Sequence, residues 1–201
     1  MIRLGLDFDN TIINYESLFH KVAVERGLIP KKLPAHKKII RDFLIEKQIE
    51  EEFTLIQAEV YGKRILEAKP TKNFIKSIQN INKREEFLDI FIVSHKTKYP
   101  YIGPKYDLHY AALSWLENNQ FFNKSELNFS KDNIFFEVSK IDKIERIEKL
   151  NCNYFVDDLP NILEMINPKC KRILYDPYQN YKNENRFLML KDWKDIDFFI
   201  D

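Results

Sequence analysis

The chain has 201 residues, 44% of them hydrophobic, and its 32 basic and 31 acidic residues give a net charge of +1. This length and apolar content suffice for one substantial core, so we predict one compact domain with a small insertion. The balanced charge provides no overall attraction for nucleic acid or an anionic membrane, and we expect neither as a partner. No apolar run approaches the roughly 20 residues that span a bilayer, which favours a soluble cytoplasmic protein.

The first predicted strand is apolar and ends in two acidic residues. Side chains alternate along a strand, so Asp7 and Asp9 would share one face if the strand stayed regular. A carboxylate pair at the carboxyl end of a strand can hold a divalent cation, and one member can act as a nucleophile while the other transfers protons. On its own, Asp-x-Asp-x-Thr is a short pattern, and a strand that ends in an acidic turn is the alternative.

Residues 14–84 have helical rather than strand periodicity. Four helices are predicted, at about residues 17–24, 35–47, 51–68 and 71–82. The fourth helix would be the crossover that returns the chain to the sheet. Residues 14–70 are therefore the predicted insertion.

Polar residues also follow two later predicted strands. Phe91-Ile92-Val93 precedes Ser94-His95-Lys96, and Tyr154-Phe155-Val156 precedes Asp157-Asp158. Further strands are predicted near residues 134–137, 172–175 and 187–190.

A short amphipathic helix is predicted from Ser139 to Leu150, directly before the strand that ends in the double acid. Ser139 is the expected N-cap, which puts Lys140 and Lys143 in the first turns. These lysines lie one turn apart on roughly the same face, so both are candidates for a site at the strand ends.

In this order the motifs resemble the haloacid dehalogenase superfamily: Asp-x-Asp-x-Thr, a strand followed by serine, a lysine before a strand, and a double acid. The resemblance covers about residues 1–13 and 86–176. It implies an α/β fold with a three-layer, Rossmann-like parallel sheet. Residues 1–13 and 71–201 would form this core, and residues 14–70 a small α-helical cap.

The resemblance also implies an activity: a magnesium-dependent phosphomonoesterase that cleaves a small phosphorylated metabolite through an aspartyl-phosphate intermediate. Asp7 would be the nucleophile, and Asp9 the general acid and base. Mg2+ would bind the Asp7 carboxylate, the Asp9 backbone carbonyl and Asp158, with Asp157 as the outer partner, although the adjacent acids could exchange roles.

Other residues would bind the phosphoryl group and the rest of the substrate. Ser94 would donate a hydrogen bond to a phosphoryl oxygen, and a lysine, with Lys143 favoured over Lys140, would offset its charge. Additional substrate contacts are expected from Asn10, which replaces the family's more common glycine, and from Thr11, His95 and Lys96.

The second acid, Asp9, favours a phosphatase or phosphotransferase, because the resemblance implies that dehalogenases lack an acid at this position. The alternatives left open are a nucleotide or polynucleotide-end phosphatase and a non-catalytic binding protein on the same fold. A monomer or homodimer is expected.

Cys152 and Cys170 have no metal-binding spacing, and Cys152 is predicted to pack in the core.

Overall fold

The computed structural model describes residues 2–84, 88–127 and 129–200. Its strands are β1 (Ile2–Leu6), β2 (Ile13–Asn14), β3 (Lys69–Pro70), β4 (Leu88–His95), β5 (Ile134–Glu137), β6 (Tyr154–Asp157), β7 (Lys171–Tyr175) and β8 (Leu188–Leu190). Six of them form one parallel sheet in the order β5-β4-β1-β6-β7-β8, while β2 pairs with β3. The predicted α/β class with a Rossmann-like parallel sheet is confirmed.

The helices are α1 (Glu16–Glu25), α2 (Lys37–Glu46), α3 (Glu50–Tyr61), α4 (Phe74–Arg84), α5 (Leu108–Asn118), α6 (Lys140–Lys149) and α7 (Pro160–Leu163). Short 3₁₀ helices occur at Ile65–Glu67, Lys131–Asn133 and Trp193–Phe198. The prediction that the third helix continues to residue 68 is wrong. It ends at Tyr61 because Gly62, a poor helix former, takes a non-helical conformation with φ −107° and ψ −98°.

The central position of β1 brings the predicted motifs to one edge of the sheet. β1 pairs with β4 through Leu6 and Ile92, and with β6 through Leu6 and Val156. All three strands are parallel, so their carboxyl ends lie side by side. Residues that follow these strands are therefore close in space.

The chain divides into two compact units. The helical unit comprises residues 14–69 and 97–119, and the sheet unit comprises the other segments. Residues 97–119, assigned to the core from the sequence, group with the helices because α5 contacts α3 and the 3₁₀ helix at Ile65–Glu67. Trp115 Nε1 also donates to the carbonyl of Ala68 at 2.8 Å. A role for the helical unit as a cap stays a prediction.

The core of the sheet unit is tightly packed around β1. A Cβ added at Gly5 would lie 2.8 Å from Phe155 Cε2, closer than real Cβ atoms approach their neighbours, and 3.0 Å from Cys152 Sγ, closer than most of them do. Both side chains belong to a buried apolar cluster with α6 and α7. A larger residue at this point of the strand that carries Asp7 would therefore force its neighbours to shift.

The helical unit has its own aromatic core. Phe19 stacks on Phe53 with ring centroids 5.4 Å apart, and Tyr15 meets Tyr61 edge to face at 4.7 Å. Such pairs add to the apolar burial that holds α1 and α3 together. Across the described residues, every helix is too short or too polar to cross a membrane.

Candidate active site

Asp7 is the first residue after β1, and its backbone amide donates to the carbonyl of Val156 at 2.9 Å. The bond continues the pairing of β1 with β6 by one residue and keeps Asp7 beside the end of β6. Phe8 is fully buried and packs edge to face on Phe136 at 5.9 Å. The nucleophile candidate therefore lies on a rigid strand end.

Asn10 has φ +59°, in the left-handed region that glycine adopts freely and asparagine tolerates better than most residues. This conformation gives a physical reason for a glycine or asparagine at this position. Asn10 Nδ2 also donates to Asp158 Oδ2 at 3.3 Å. Asn10 thus contacts a predicted metal ligand, and its predicted substrate contact stays a prediction.

Lys143 bridges two of the predicted acids. Its Nζ lies 2.6 Å from Asp7 Oδ1 and 2.6 Å from Asp157 Oδ2, and the side chain is 2% exposed. Lys140 is exposed at the start of the same helix. The structure brings Lys143, and not Lys140, to the acids.

The N-cap of α6 fixes where this lysine lies. The Ser139 hydroxyl accepts from the backbone amide of Asp142 at 3.1 Å and donates to its carboxylate at 2.6 Å. The cap satisfies a backbone donor that would otherwise lack a partner at the helix start. Lys143 follows on the first complete turn.

Ser94 lies at the end of β4, and its Oγ donates to Asp7 Oδ1 at 3.0 Å. Ser94 and Lys143 thus donate to the same oxygen, and no described residue donates to Oδ2. The arrangement orients the carboxylate and leaves Oδ2 for another partner.

The electrostatics of the site reflect crowded acids. Burial raises the pKa of Asp7 to about 7, Lys143 opposes that rise, and the carboxylates of Asp157 and Asp9 add to it. Burial alone would lower the pKa of Lys143, but Asp157 and Asp7 outweigh it and raise that pKa. Lys143 therefore stays charged, while its positive charge does not fully offset the effect of burial and of the neighbouring carboxylates on Asp7.

Asp7, Asp157 and Asp158 form a group whose nearest carboxylate oxygens lie within 4.8 Å of one another. Asp157 accepts from Lys143 at Oδ2 and from the Leu159 backbone amide, 2.9 Å away, at Oδ1. Both oxygens of Asp157 are thus engaged by donors of the protein. Oxygen ligands with excess negative charge are what Mg2+ prefers, so these residues fit that cation.

Lys96 contacts Asp9. Its Nζ lies 3.0 Å from Asp9 Oδ1 and 2.8 Å from Oδ2, and the lysine is 4% exposed. With Asp7, Asp157, Asp158 and Lys143, the site contains four carboxylates and two ammonium groups. When all are ionised, two negative charges remain, which is consistent with a divalent cation.

The backbone carbonyl of Thr11 and the ring of His95, two other predicted substrate residues, have partners away from the acids. Thr11 is fully buried, and its carbonyl accepts from Thr71 Oγ1 at 2.8 Å and Trp193 Nε1 at 3.1 Å. His95 Nε2 lies 3.2 Å from the Val138 carbonyl. Burial lowers the pKa of His95, although the bond to Val138 opposes this. Substrate contacts by Thr11 and His95 stay predictions that this geometry does not support.

The sequence analysis overlooked the loop after β7. Asp176 is buried there, and its carboxylate accepts from the backbone amides of Asn180 at 2.9 Å and Tyr181 at 2.8 Å. Burial raises the pKa of Tyr181, and the carboxylates of Asp158 and Asp176 act in the same direction. The available signal was an acid directly after a predicted strand.

One curated protein resembles the chain along almost its whole length. The protein, from Oceanobacillus iheyensis, carries the name "Putative nucleotidase OB0422" and is 25% identical over 200 residues, which cover 98% of this chain and 97% of that protein. No protein-family model matches the sequence.

Solved structures share the fold. A HAD-superfamily hydrolase of subfamily IA from Geobacter sulfurreducens has a TM-score of 0.57 at 10% identity, covering 100% of this chain and 97% of that one. A phosphoserine phosphohydrolase-like protein from Francisella tularensis has a TM-score of 0.53 at 15% identity, with complete coverage of both chains. Dehalogenases are also among the similar structures. The fold is that of haloacid dehalogenase-like hydrolases, as the motifs predicted, and it does not by itself select a reaction.

Proposed function

We propose that the chain is a magnesium-dependent phosphomonoesterase that works through an aspartyl-phosphate intermediate. The observation that carries the proposal is the Asp7 carboxylate at the carboxyl edge of the sheet, with Ser94 and Lys143 both donating to Oδ1. This arrangement orients one oxygen and leaves the other for attack. The shared fold and the similarity to a protein named as a nucleotidase support the same reaction class.

In the first half-reaction, Asp7 Oδ2 attacks the phosphorus atom of the ester. The new oxygen–phosphorus bond forms as the bond to the alcohol oxygen breaks, and the electron pair of that bond stays on the leaving oxygen. Asp9, in its protonated form, gives this oxygen its proton, so the alcohol leaves neutral. Lys143 and Ser94 contact the oxygen beside the attacking one, where they hold the carboxylate in position.

In the second half-reaction, water attacks the phosphorus atom of the aspartyl phosphate. The Asp9 carboxylate takes the proton of that water. The bond between phosphorus and the Asp7 oxygen breaks, and its electron pair restores the Asp7 carboxylate. Inorganic phosphate leaves, Asp9 is protonated again, and the site returns to its first state.

Asp7 and Asp158, with the backbone carbonyl of Asp9, are the groups that would hold Mg2+. Bound there, the cation would neutralise charge on the phosphoryl oxygens and on the nucleophile. Asp157 would hold Lys143 in place, since its two oxygens already accept hydrogen bonds.

Asp9 favours ester hydrolysis over dehalogenation. A halide leaves without a proton, so a dehalogenase has no use for an acid two residues after its nucleophile. A phosphate ester of an alcohol has a poor leaving group that needs one. The same converging charges argue against a non-catalytic binding protein.

A small phosphorylated metabolite is the proposed substrate, and a nucleoside monophosphate is the second candidate. The observation that favours the nucleotide is the name of the 25% identical relative. Near-neutral net charge argues against a polynucleotide end.

Phosphate release from a panel of sugar phosphates, nucleoside monophosphates and phosphoamino acids tests the proposal. We expect turnover of at least one class with Mg2+ and none in EDTA. A matched reaction with Asp7→Asn controls for contaminating phosphatases. Lack of turnover on the whole panel with Mg2+, or equal turnover by Asp7→Asn, would contradict the proposal.

A further inference from the structure

Lys96 is a buried lysine that forms an ion pair with Asp9. Lys96 Nζ reaches both carboxylate oxygens, at 3.0 and 2.8 Å, and its side chain is 3% exposed, against 22% for Asp9. Burying an ammonium group costs free energy unless the charge is paired. We therefore expect the Lys96 ammonium group to stay beside the Asp9 carboxylate.

Two further contacts fix Lys96. Its backbone amide, one residue beyond β4, donates to the carbonyl of Glu137 at the end of β5, at 2.8 Å. Its Nζ also lies over the ring of Phe8, 5.5 Å from the centroid. Phe8 lies between Asp7 and Asp9 in the sequence, and its side chain is fully buried. The backbone of Lys96 is thus fixed at the sheet edge, and its ammonium group lies against an aromatic face.

Asp9 is not a member of the group formed by the other acids of the site. Among the described residues, the group of carboxylates within 4.8 Å of one another consists of Asp7, Asp157 and Asp158, and Asp9 is outside it. Lys143 contacts two of the grouped acids, whereas Lys96 contacts the fourth acid. The site therefore has two lysines with different partners.

We propose that Lys96 is a positioning residue, and not a substrate-binding residue: it holds the Asp9 carboxylate in place for proton transfer to the leaving oxygen. The inference rests on the proposed function. As Asp9 gives up its proton, a carboxylate charge forms within 3.0 Å of an ammonium group that is already in place. A fixed charge placed where new charge develops stabilises the transition state without further reorganisation.

The leaving group provides the first test. Nitrophenolate is a stable anion and departs without a proton, whereas an alkoxide must be protonated as it leaves. Hydrolysis of an alkyl phosphate therefore needs the proton of Asp9, and hydrolysis of p-nitrophenyl phosphate does not. The quantity to compare is kcat/KM, because it reports the steps up to departure of the alcohol. We expect Lys96→Met to lower it by about 100-fold on the alkyl ester and by less than about threefold on the nitrophenyl ester. Lys149→Met, an exposed lysine of α6, is the control and should change neither.

A double-mutant cycle provides the second test. If Lys96 acts through Asp9, then Asp9→Asn/Lys96→Met should be no slower on the alkyl ester than Asp9→Asn alone. The double variant also removes both charges of the buried pair, so it should fold even if Lys96→Met, which leaves the Asp9 carboxylate without this ammonium group, does not. Lys96→Arg keeps the charge and should recover most of the activity.

The outcomes separate this inference from the proposed function. Equal losses on both esters, or a further loss from Lys96→Met in the Asp9→Asn background, would mean that Lys96 does not act through Asp9 and would overturn the inference. In either case the wild-type protein would still hydrolyse the esters in a manner that depends on Asp7. Absence of wild-type hydrolysis would instead reject the proposed function.

Discussion

Lys143 Nζ lies 2.6 Å from Asp7 Oδ1, although 136 residues separate the two in the chain. The same ammonium group contacts Asp157 Oδ2 at 2.6 Å. The parallel arrangement of β1 and β6, and the capped start of α6, bring the three residues together. The contact joins the nucleophile candidate to the double acid.

Lys143→Met should lower turnover on every phosphate ester, because the charge that Lys143 offsets is common to all of them. We expect a loss of about 100- to 1,000-fold in kcat, the size seen when one electrostatic donor is removed from an active site. Steady-state kinetics on several unrelated esters would measure it. Lys140→Met, which changes an exposed lysine of the same helix, is the matched control. A larger loss in the control would reject the assignment.

Breaking the Lys143 ion pairs should also affect folding. Two buried carboxylates would lose their cation, and breaking a buried pair typically costs about 3–5 kcal/mol. Urea unfolding of Lys143→Met in the presence of Mg2+ would measure the change. Unaltered stability would mean that the bridge to Asp7 and Asp157 is not formed in solution.

Asp7→Asn should abolish turnover and leave the fold intact. An amide cannot form the acyl phosphate, but it has nearly the volume of the carboxylate, and Lys143 keeps Asp157 as a partner. Phosphate release and thermal melting of the purified variant would check both expectations. Turnover near the wild-type rate would exclude Asp7 as the nucleophile.

Removal of Mg2+ with EDTA should abolish activity, and Mg2+ should restore it far better than Ca2+, whose larger and looser coordination sphere would misplace the reacting oxygens. Asp158→Ala should weaken Mg2+ binding more than Asp157→Ala, because both oxygens of Asp157 already accept hydrogen bonds. Calorimetric titration of each variant measures this order. The reverse order would exchange the two roles.

Gly5→Ala should destabilise the protein by about 1–3 kcal/mol, the usual cost of overpacking a core. The added methyl would meet Phe155 and Cys152, and β1 could move away only by disturbing Asp7. Chemical unfolding would measure the loss, and Cys152→Ala in the same chain should restore part of it by making room. An unchanged unfolding free energy for Gly5→Ala would contradict the packing of β1.

The two cysteines should resist thiol reagents in the folded protein. Burial raises the pKa of Cys152 and of Cys170 to about 12, so their reactive thiolates are scarce at pH 8. An unfolded thiol has a pKa of about 8.5, so stability should decline as pH rises above that value. Titration with a chromogenic disulfide before and after guanidinium unfolding would test this. Rapid labelling of the native protein would contradict the buried placement.

The sequence analysis placed the acids at one edge of the sheet because that placement follows from topology alone. In a parallel sheet the residues after adjacent strands share one edge, so Asp7, Ser94 and Asp157 had to come together once the strands were recognised. The predicted N-cap at Ser139 put both Lys140 and Lys143 in the first turns, with Lys143 favoured, and the contact of Lys143 with Asp7 is what distinguishes the two in the structure.

Other features depend on tertiary packing and could not be predicted in the same way. Lys96, which pairs with Asp9, lies over the ring of Phe8, and its backbone amide donates to the carbonyl of Glu137, so its position depends on contacts between separate segments. Residues 97–119 group with the helical unit through Trp115, a contact between distant segments. The carbonyl of Thr11 likewise accepts a hydrogen bond from Trp193, far along the chain.

The aspartyl phosphate on Asp7 is the central claim, and trapping it is the most direct test. In Asp9→Asn, p-nitrophenyl phosphate should still phosphorylate Asp7, because nitrophenolate leaves without a proton, while hydrolysis of the intermediate lacks its base. Acid quenching followed by peptide mass spectrometry should show one phosphoryl group on the peptide that contains Asp7, formed together with a stoichiometric burst of nitrophenol. A phosphoryl group on another residue, or one that persists in Asp7→Asn/Asp9→Asn, would contradict the account.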